Sequence, residues 1–147
     1  MNVDIRRIDT SLPLPPYSTD GAVAFDVITR ETTVVEPKQI ALIPGNVIVK
    51  VPEGYALLLF PRSSMPRKKG LIFPHSAGLI DQDYHGDNDE LMVQVQNISE
   101  EPVTVERGER IAQGVFVQIG KAQWNEVEGG HGAESRGGFG TTGTHTE

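Results

Sequence analysis

The sequence predicts a mostly β protein, built as a sandwich or barrel, and three observations carry that prediction. Apolar residues from Ile40 onward come in short runs punctuated by Pro and Gly. No long stretch repeats apolar residues at helical spacing. The chain has 147 residues, which fits one compact domain able to bury roughly 70% of its unfolded surface without disulfide staples.

Taken in order, Ser11 to Gly21 contains Pro13, Pro15 and Pro16, so it is expected to run as an extended surface strap outside the middle of any sheet. Val47 to Val51 is rich in β-branched residues, Pro52-Glu53-Gly54 turns the chain, and Tyr55 to Phe60 resumes the strand pattern, which reads as a hairpin. A short helix fits Ser63 to Lys69, limited by Pro66. Gly78 to Gly86 reads as the turn of another hairpin, leading into a strand over Leu91 to Val95. Val103 to Val105 and Ile111 to Ile119 flank Glu106 to Glu109 as paired strands, with Gly108 where a positive φ is expected. Beyond Trp124, seven of the sixteen glycines fall between Gly129 and Gly143, among few aliphatic residues. Residues 1–124 therefore form the folded domain and residues 125–147 a flexible arm.

Composition narrows the function. The absence of cysteine excludes a thiol nucleophile, a zinc ribbon and a redox pair, and suits a reducing, cytoplasmic compartment. Asp4, Arg6, Arg7 and Asp9 interrupt the N-terminal segment, so it is no signal peptide, and no segment is long and apolar enough for a membrane span. A formal charge of -7 argues against stable nucleic-acid binding, yet a few Arg side chains and backbone amides suffice to hold a small phosphate ligand.

Several segments offer such chemistry. Pro61-Arg62-Ser63-Ser64 follows an apolar strand, where hydroxyls, amides and an Arg fork could meet anionic oxygens; alone it reads better as a Ser N-cap opening a short helix. Gly78-Leu79-Ile80-Asp81-Gln82-Asp83-Tyr84-His85-Gly86 places Asp81 and Asp83 on one face by alternation. One of these carboxylates could hold a water as base, with Tyr84 as an apolar wall, although Asp and Gly are also ordinary turn formers. Asp87, Asp89 and Glu90 suggest solvated charge more than a metal site. Gln113, opening a strand after Gly108, could orient a ligand through its amide. Arg136 to Gly143 embeds Arg136, Phe139 and two threonines in glycine, as a flap over a ligand would. The four histidines show no zinc spacing, and neither a nucleophile elbow nor a Walker loop is present.

In this order the segments resemble the five motifs of the homotrimeric dUTPase family. Ala24-Phe25-Asp26-Val27 is similar to the first, Pro61 to Ser64 the second, Gly78 to Gly86 the third, Arg110 to Gln113 the fourth, and Arg136 to Gly143 the fifth. The resemblance implies a jelly-roll-like β barrel, three identical subunits with shared active sites, and hydrolysis of dUTP to dUMP and pyrophosphate, which limits uracil in DNA. It implies that Asp81 holds the attacking water and that Tyr84 packs on deoxyribose and excludes a 2'-hydroxyl. Leu79, Ile80 and Met92 would surround uracil, with His75 where the family commonly has Asn. Arg62, Ser63, Ser64 and Gln113 would serve the phosphates, Arg136 would reach the distal phosphate, and Phe139 would cover the base. Mg2+ would be carried chiefly by the triphosphate, with Asp26 supporting it through water. The loop after Tyr84 is longer, and Arg136 lies nearer Phe139, than in the common form. The related dCTP deaminases are one alternative, although Gln94 stands where they place a Glu; a non-catalytic trimeric nucleotide-binding module is another.

Overall fold

The computed structural model describes residues 1–138. Among the described residues, eleven strands and one short helix follow each other. They are β1 (Ile5–Arg7), β2 (Phe25–Ile28), β3 (Thr33–Val35), β4 (Ile40–Pro44), β5 (Val47–Val49), β6 (Tyr55–Pro61), α1 (Met65–Lys69), β7 (Leu71–Ile72), β8 (Gly78–Ile80), β9 (Met92–Asn97), β10 (Val103–Val105) and β11 (Arg110–Gln118). The expectation of a nearly all-β chain with a short helix after β6 holds.

All ladders are antiparallel. A four-stranded sheet runs β2-β11-β6-β8, a three-stranded sheet β4-β9-β7, and two ribbons pair β1 with β5 and β10 with β3. One apolar core joins them, with Val27, Ile43, Leu57, Leu71, Leu91, Val95, Val105 and Ala112 fully buried. On β9 burial alternates residue by residue, so Val93 and Val95 face the core while Gln94 and Gln96 face outward. Gly114 of β11 lies between Phe25 and Leu59, and a methyl group there would stand 2.5 Å from the Phe25 ring. The strand thus needs glycine at this point so that the ring can close the core over it.

The expected pairings fail in three places. The turn at Pro52 forms, with the Tyr55 N–H donating to the Pro52 carbonyl at 3.1 Å, but β5 pairs with β1 while β6 lies between β11 and β8. Val47, Ile48 and Val49 are all buried, so no alternation marks which sheet the strand belongs to. Likewise Gly108 adopts φ 89°, as expected, yet β10 pairs with β3, and β11 with β2 and β6. The chain crosses from one sheet to the other at these turns, as strands of a two-layer β fold do. The third motif is also no hairpin: β8 pairs with β6, whereas Met92 lies opposite Pro44.

The strap is as expected. Residues 11–21 form no strand, and the Asp26 N–H donates to the Pro16 carbonyl at 2.9 Å, which lays the strap beside β2. After β11, residues 119–138 hold neither helix nor strand, and Trp124 is 93% exposed. Among the described residues no helix is long and apolar enough to cross a membrane.

Candidate active site

Two clusters form at opposite ends of β6. At its C-terminal end Asp26, only 6% exposed, sits in the apolar strand β2 and meets two hydrogen-bond donors and a further ion-pair partner. Arg62 Nε lies 3.2 Å from Oδ1, Arg110 Nη1 3.0 Å from Oδ2, and Ser18 Oγ donates to Oδ2 at 2.6 Å. A buried carboxylate requires such partners, and here they are the arginines of the second and fourth motifs. Register explains the convergence: Gln113 lies opposite Asp26 on one side and Phe60 on the other. An irregularity between Arg110 and Ala112 bends β11 beside the Arg110 guanidinium. Gln113 Nε2 donates to the Pro61 carbonyl at 3.4 Å, and the Arg62 N–H to the Ile111 carbonyl at 3.3 Å.

Ser64 occupies the N-cap position of α1, but its hydroxyl makes no capping bond. The helix is instead fixed by the buried Met65 side chain. Ser63, beside Ser64, is exposed. Arg62, Ser64, Lys68, Lys69 and Arg110 line a cleft of about 190 Å³, a setting rich in donors for anionic oxygens. Lys69 is engaged there by Glu109 at 2.8 Å.

At the other end, Ile80 lies opposite Leu57, so Asp81 emerges beside Ala56. Asp81, Gln82, Asp83, Tyr55, Ala56, Ile119 and Lys121 line a cleft of about 340 Å³. The two carboxylates expected on one face do share this cleft, through a turn in which the Tyr84 N–H donates to the Asp81 carbonyl at 3.4 Å. The Gln82 amide donates to the Tyr55 carbonyl at 3.0 Å and anchors that turn to β6. Tyr84 is 37% exposed, and its hydroxyl donates to the Glu90 carbonyl at 3.1 Å.

The remaining candidates divide. Leu79 is exposed on β8, which is the edge of its sheet, while Ile80 packs against the core. Met92 belongs to the other sheet. His75 is exposed and stacks on Phe73, with ring centroids 5.7 Å apart and planes at 6°. Arg136 is exposed in the arm, and Phe139 lies outside the described residues.

For a divalent metal, the donor set is informative. Among the described residues no group of three or more His, Asp or Glu could hold an ion. Asp26 already faces two guanidinium groups, so a cation could not bind it directly without strong repulsion. The residues fit a magnesium ion that arrives on phosphate oxygens and meets the protein through water. Of the acidic run, Asp87 pairs with Arg6, Asp89 accepts from the Gly86 N–H, and Glu90 is buried against Arg30.

Ser18 and the pairing role of Arg110 escaped sequence reasoning. The available signal was Asp26 itself, a charge inside the strand Phe25–Ile28 that had to find cations.

Comparison with known proteins decides the family. The family model described as dUTPase matches residues 10–143. This chain belongs to the dUTPase family. The deoxyuridine 5'-triphosphate nucleotidohydrolase of Pseudomonas paraeruginosa is 40% identical over 143 residues, 95% of this chain and 93% of that protein. The dUTPase of Streptococcus mutans has a similar structure, with TM-score 0.75 and 35% identity over 82% of this chain and 98% of that one. A Staphylococcus bacteriophage 80alpha dUTPase with dUPNHPP gives TM-score 0.86 and 28% identity, covering 97% and 99%.

Proposed function

We propose that this chain is a dUTP diphosphatase, hydrolysing dUTP to dUMP and pyrophosphate at sites shared between the subunits of a homotrimer. The observation that carries this reading is the separation of the two clusters. Ala56, beside Asp81, and Arg62 stand about 20 Å apart at the usual rise of a strand. In a nucleotide the sugar is bonded directly to the α-phosphate, and a span of about 20 Å within one chain favours two subunits supplying the two clusters to one molecule. A neighbouring subunit that brings its Arg62, Ser63, Ser64 and Gln113 to this chain's Asp81 resolves the difficulty, and the arm, residues 125–147, closes over the assembled site. The jelly-roll-like barrel of 1–124 is the body on which this assembly rests.

Uracil fits the edge of β8. A strand at a sheet edge directs alternate N–H and C=O groups away from its neighbour, and these can read a pyrimidine edge beside Leu79 and Ile80. The two limbs of the third motif are not paired with each other, which leaves that edge open. Met92 and His75 complete the surroundings of the base, and Phe139 covers it. Tyr84 packs on the deoxyribose, where its ring leaves no volume for a 2'-hydroxyl.

Asp81 orients a water at the α-phosphorus and takes its proton. The new O–P bond forms as the bond to the bridging oxygen breaks, and pyrophosphate leaves with that oxygen. Ser63, Ser64 and Gln113 hold phosphate oxygens in line, and Arg136 holds the distal phosphate. Mg2+ would be carried by the triphosphate, with Asp26 supporting it through water, and would supply charge neutralisation. The setting is cytoplasmic, without stable nucleic-acid or membrane binding.

The test is pyrophosphate release from a panel of deoxy- and ribonucleoside triphosphates with magnesium. Turnover confined to dUTP is expected, and Asp81→Asn should retain nucleotide binding while losing about 10²–10⁴-fold in rate. Ammonia release from dCTP would favour deamination, and binding without turnover would favour a non-catalytic module.

A further inference from the structure

Glu90 is a buried carboxylate for which the mechanism above has no use. Its two oxygens are gripped by Arg30, with Nε 2.9 Å from Oε1 and Nη2 2.9 Å from Oε2, in the two-pronged geometry that fixes both planes. The Asn46 N–H also donates to Oε1, at 2.8 Å. Asn46 is itself immobile: it is 1% exposed, and its side chain bonds the Asp9 N–H at 2.7 Å and the Asp9 carbonyl at 3.1 Å. The adjoining Leu91 is tied on both sides, its N–H to the Val47 carbonyl and its carbonyl to the Gly45 N–H, each at 2.8 Å. Glu90 therefore holds its own main-chain carbonyl at a fixed place, and that carbonyl accepts the Tyr84 hydroxyl at 3.1 Å.

Between Tyr84 and Glu90 runs the lengthened loop, largely exposed and closed by its own bond from the Gly86 N–H to Asp89 at 2.6 Å. Within that loop Asp87 also pairs with Arg6, at 3.2 Å. The phenol bond spans the base of the loop and ties the ring to the core.

We propose that Glu90 and Arg30 are positioning residues for sugar selection: through the Glu90 carbonyl they fix the plane of the Tyr84 ring, and that plane decides whether a ribose 2'-hydroxyl is excluded. The proposal rests on the dUTPase reading above. It assigns a task to a pair that the phosphate and uracil contacts do not involve.

The experiment compares the wild-type chain with Glu90→Gln, Arg30→Lys, Tyr84→Phe and the double variant Tyr84→Phe with Glu90→Gln, each checked for folding by circular dichroism. The readout is the ratio of kcat/KM for dUTP to that for UTP. Glu90→Gln and Arg30→Lys should each lower the ratio about tenfold, chiefly by raising turnover of UTP. Tyr84→Phe should give a similar loss, and adding Glu90→Gln to it should lower the ratio no further, because both changes break one connection. A merely structural role would slow both nucleotides together and leave the ratio unmoved. Should Glu90→Gln fail to fold, Arg30→Lys still decides the matter, since it keeps the charge and removes the two-pronged grip. An unchanged ratio in the folded variants, or a further loss in the double variant, overturns the proposal while leaving the dUTPase reading intact. A wild-type chain without dUTP turnover would defeat that reading, and this proposal with it.

Discussion

Asp26 and Arg110, distant in sequence, meet across adjacent strands with Nη1 3.0 Å from Oδ2, and the same carboxylate holds Arg62 at 3.2 Å. One buried anion thereby fixes the arginines of two motifs before any nucleotide arrives. Asp26→Asn keeps the shape but leaves two cations sharing a neutral amide. The unfolding free energy is expected to fall by about 1–3 kcal/mol, and turnover to fall with it. Chemical denaturation of the two proteins checks this; equal midpoints and slopes would contradict it.

Gly114→Ala tests how the core closes over β11. The added methyl meets the Phe25 ring at 2.5 Å and cannot be accommodated without moving it. Phe25 precedes Asp26, so the disturbance reaches the arginine cluster as well. We expect a loss of about 1–3 kcal/mol in stability together with slower turnover. A variant as stable as the parent would show that the ring has room to retreat.

Acid stability should report on Glu109. Burial pushes its carboxyl up, but the Lys69 ammonium at 2.8 Å and the Glu106 N–H at 2.8 Å pull harder, and the result lies below its ordinary value of 4.5. Because the folded value is the lower one, the contribution is present in full above about pH 4.5 and drains away as pH falls through the folded value. Asp9 carries the same sign, held well below the usual carboxylate range by the Arg107 guanidinium and by Ser11. Unfolding temperature should therefore decline less steeply below about pH 4.5 in Glu109→Gln than in the wild type. Parallel profiles would contradict this.

Removing the arm from Arg136 onward should leave the unfolding temperature unchanged, since the last strand among the described residues ends at Gln118 and Arg136 is exposed. Turnover of dUTP should drop by about 10²-fold or more, as expected when a phosphate donor and the cover of the site are lost together. Calorimetry and pyrophosphate release separate the two effects; normal turnover would assign the arm no part in the reaction.

Legibility followed the physics of each segment. Turns announced themselves through Pro52 and Gly108, the helix through Ser63 to Lys69, and the family through five ordered motifs. Partners of strands did not. Val47 to Val49 is buried on both faces and carries no alternation to say which sheet it joins, so the turn after it was read as a hairpin that does not exist. The third motif was misread for a similar reason, because β8 takes its partner from β6 rather than from the strand its own loop leads to. Ser18, which bonds Asp26, and the Arg30–Glu90 pair are set by contacts between distant segments. Of these only Glu90 stands out in the chain, in an acidic run that suggests solvated charge, yet it is buried against Arg30.

The central claim is that Asp81 of one subunit works with Ser63 and Ser64 of another, and mixing defective chains tests it most directly. One chain carries Asp81→Asn, and the other carries Ser63→Ala with Ser64→Ala, each nearly inactive alone. Unfolded together in equal amounts and refolded, they should yield hybrids in which about a quarter of the sites combine an intact Asp81 with intact serines. Activity should rise to about that fraction of refolded wild type. A mixture no more active than its two parents would place both clusters on the same chain's site and contradict the account.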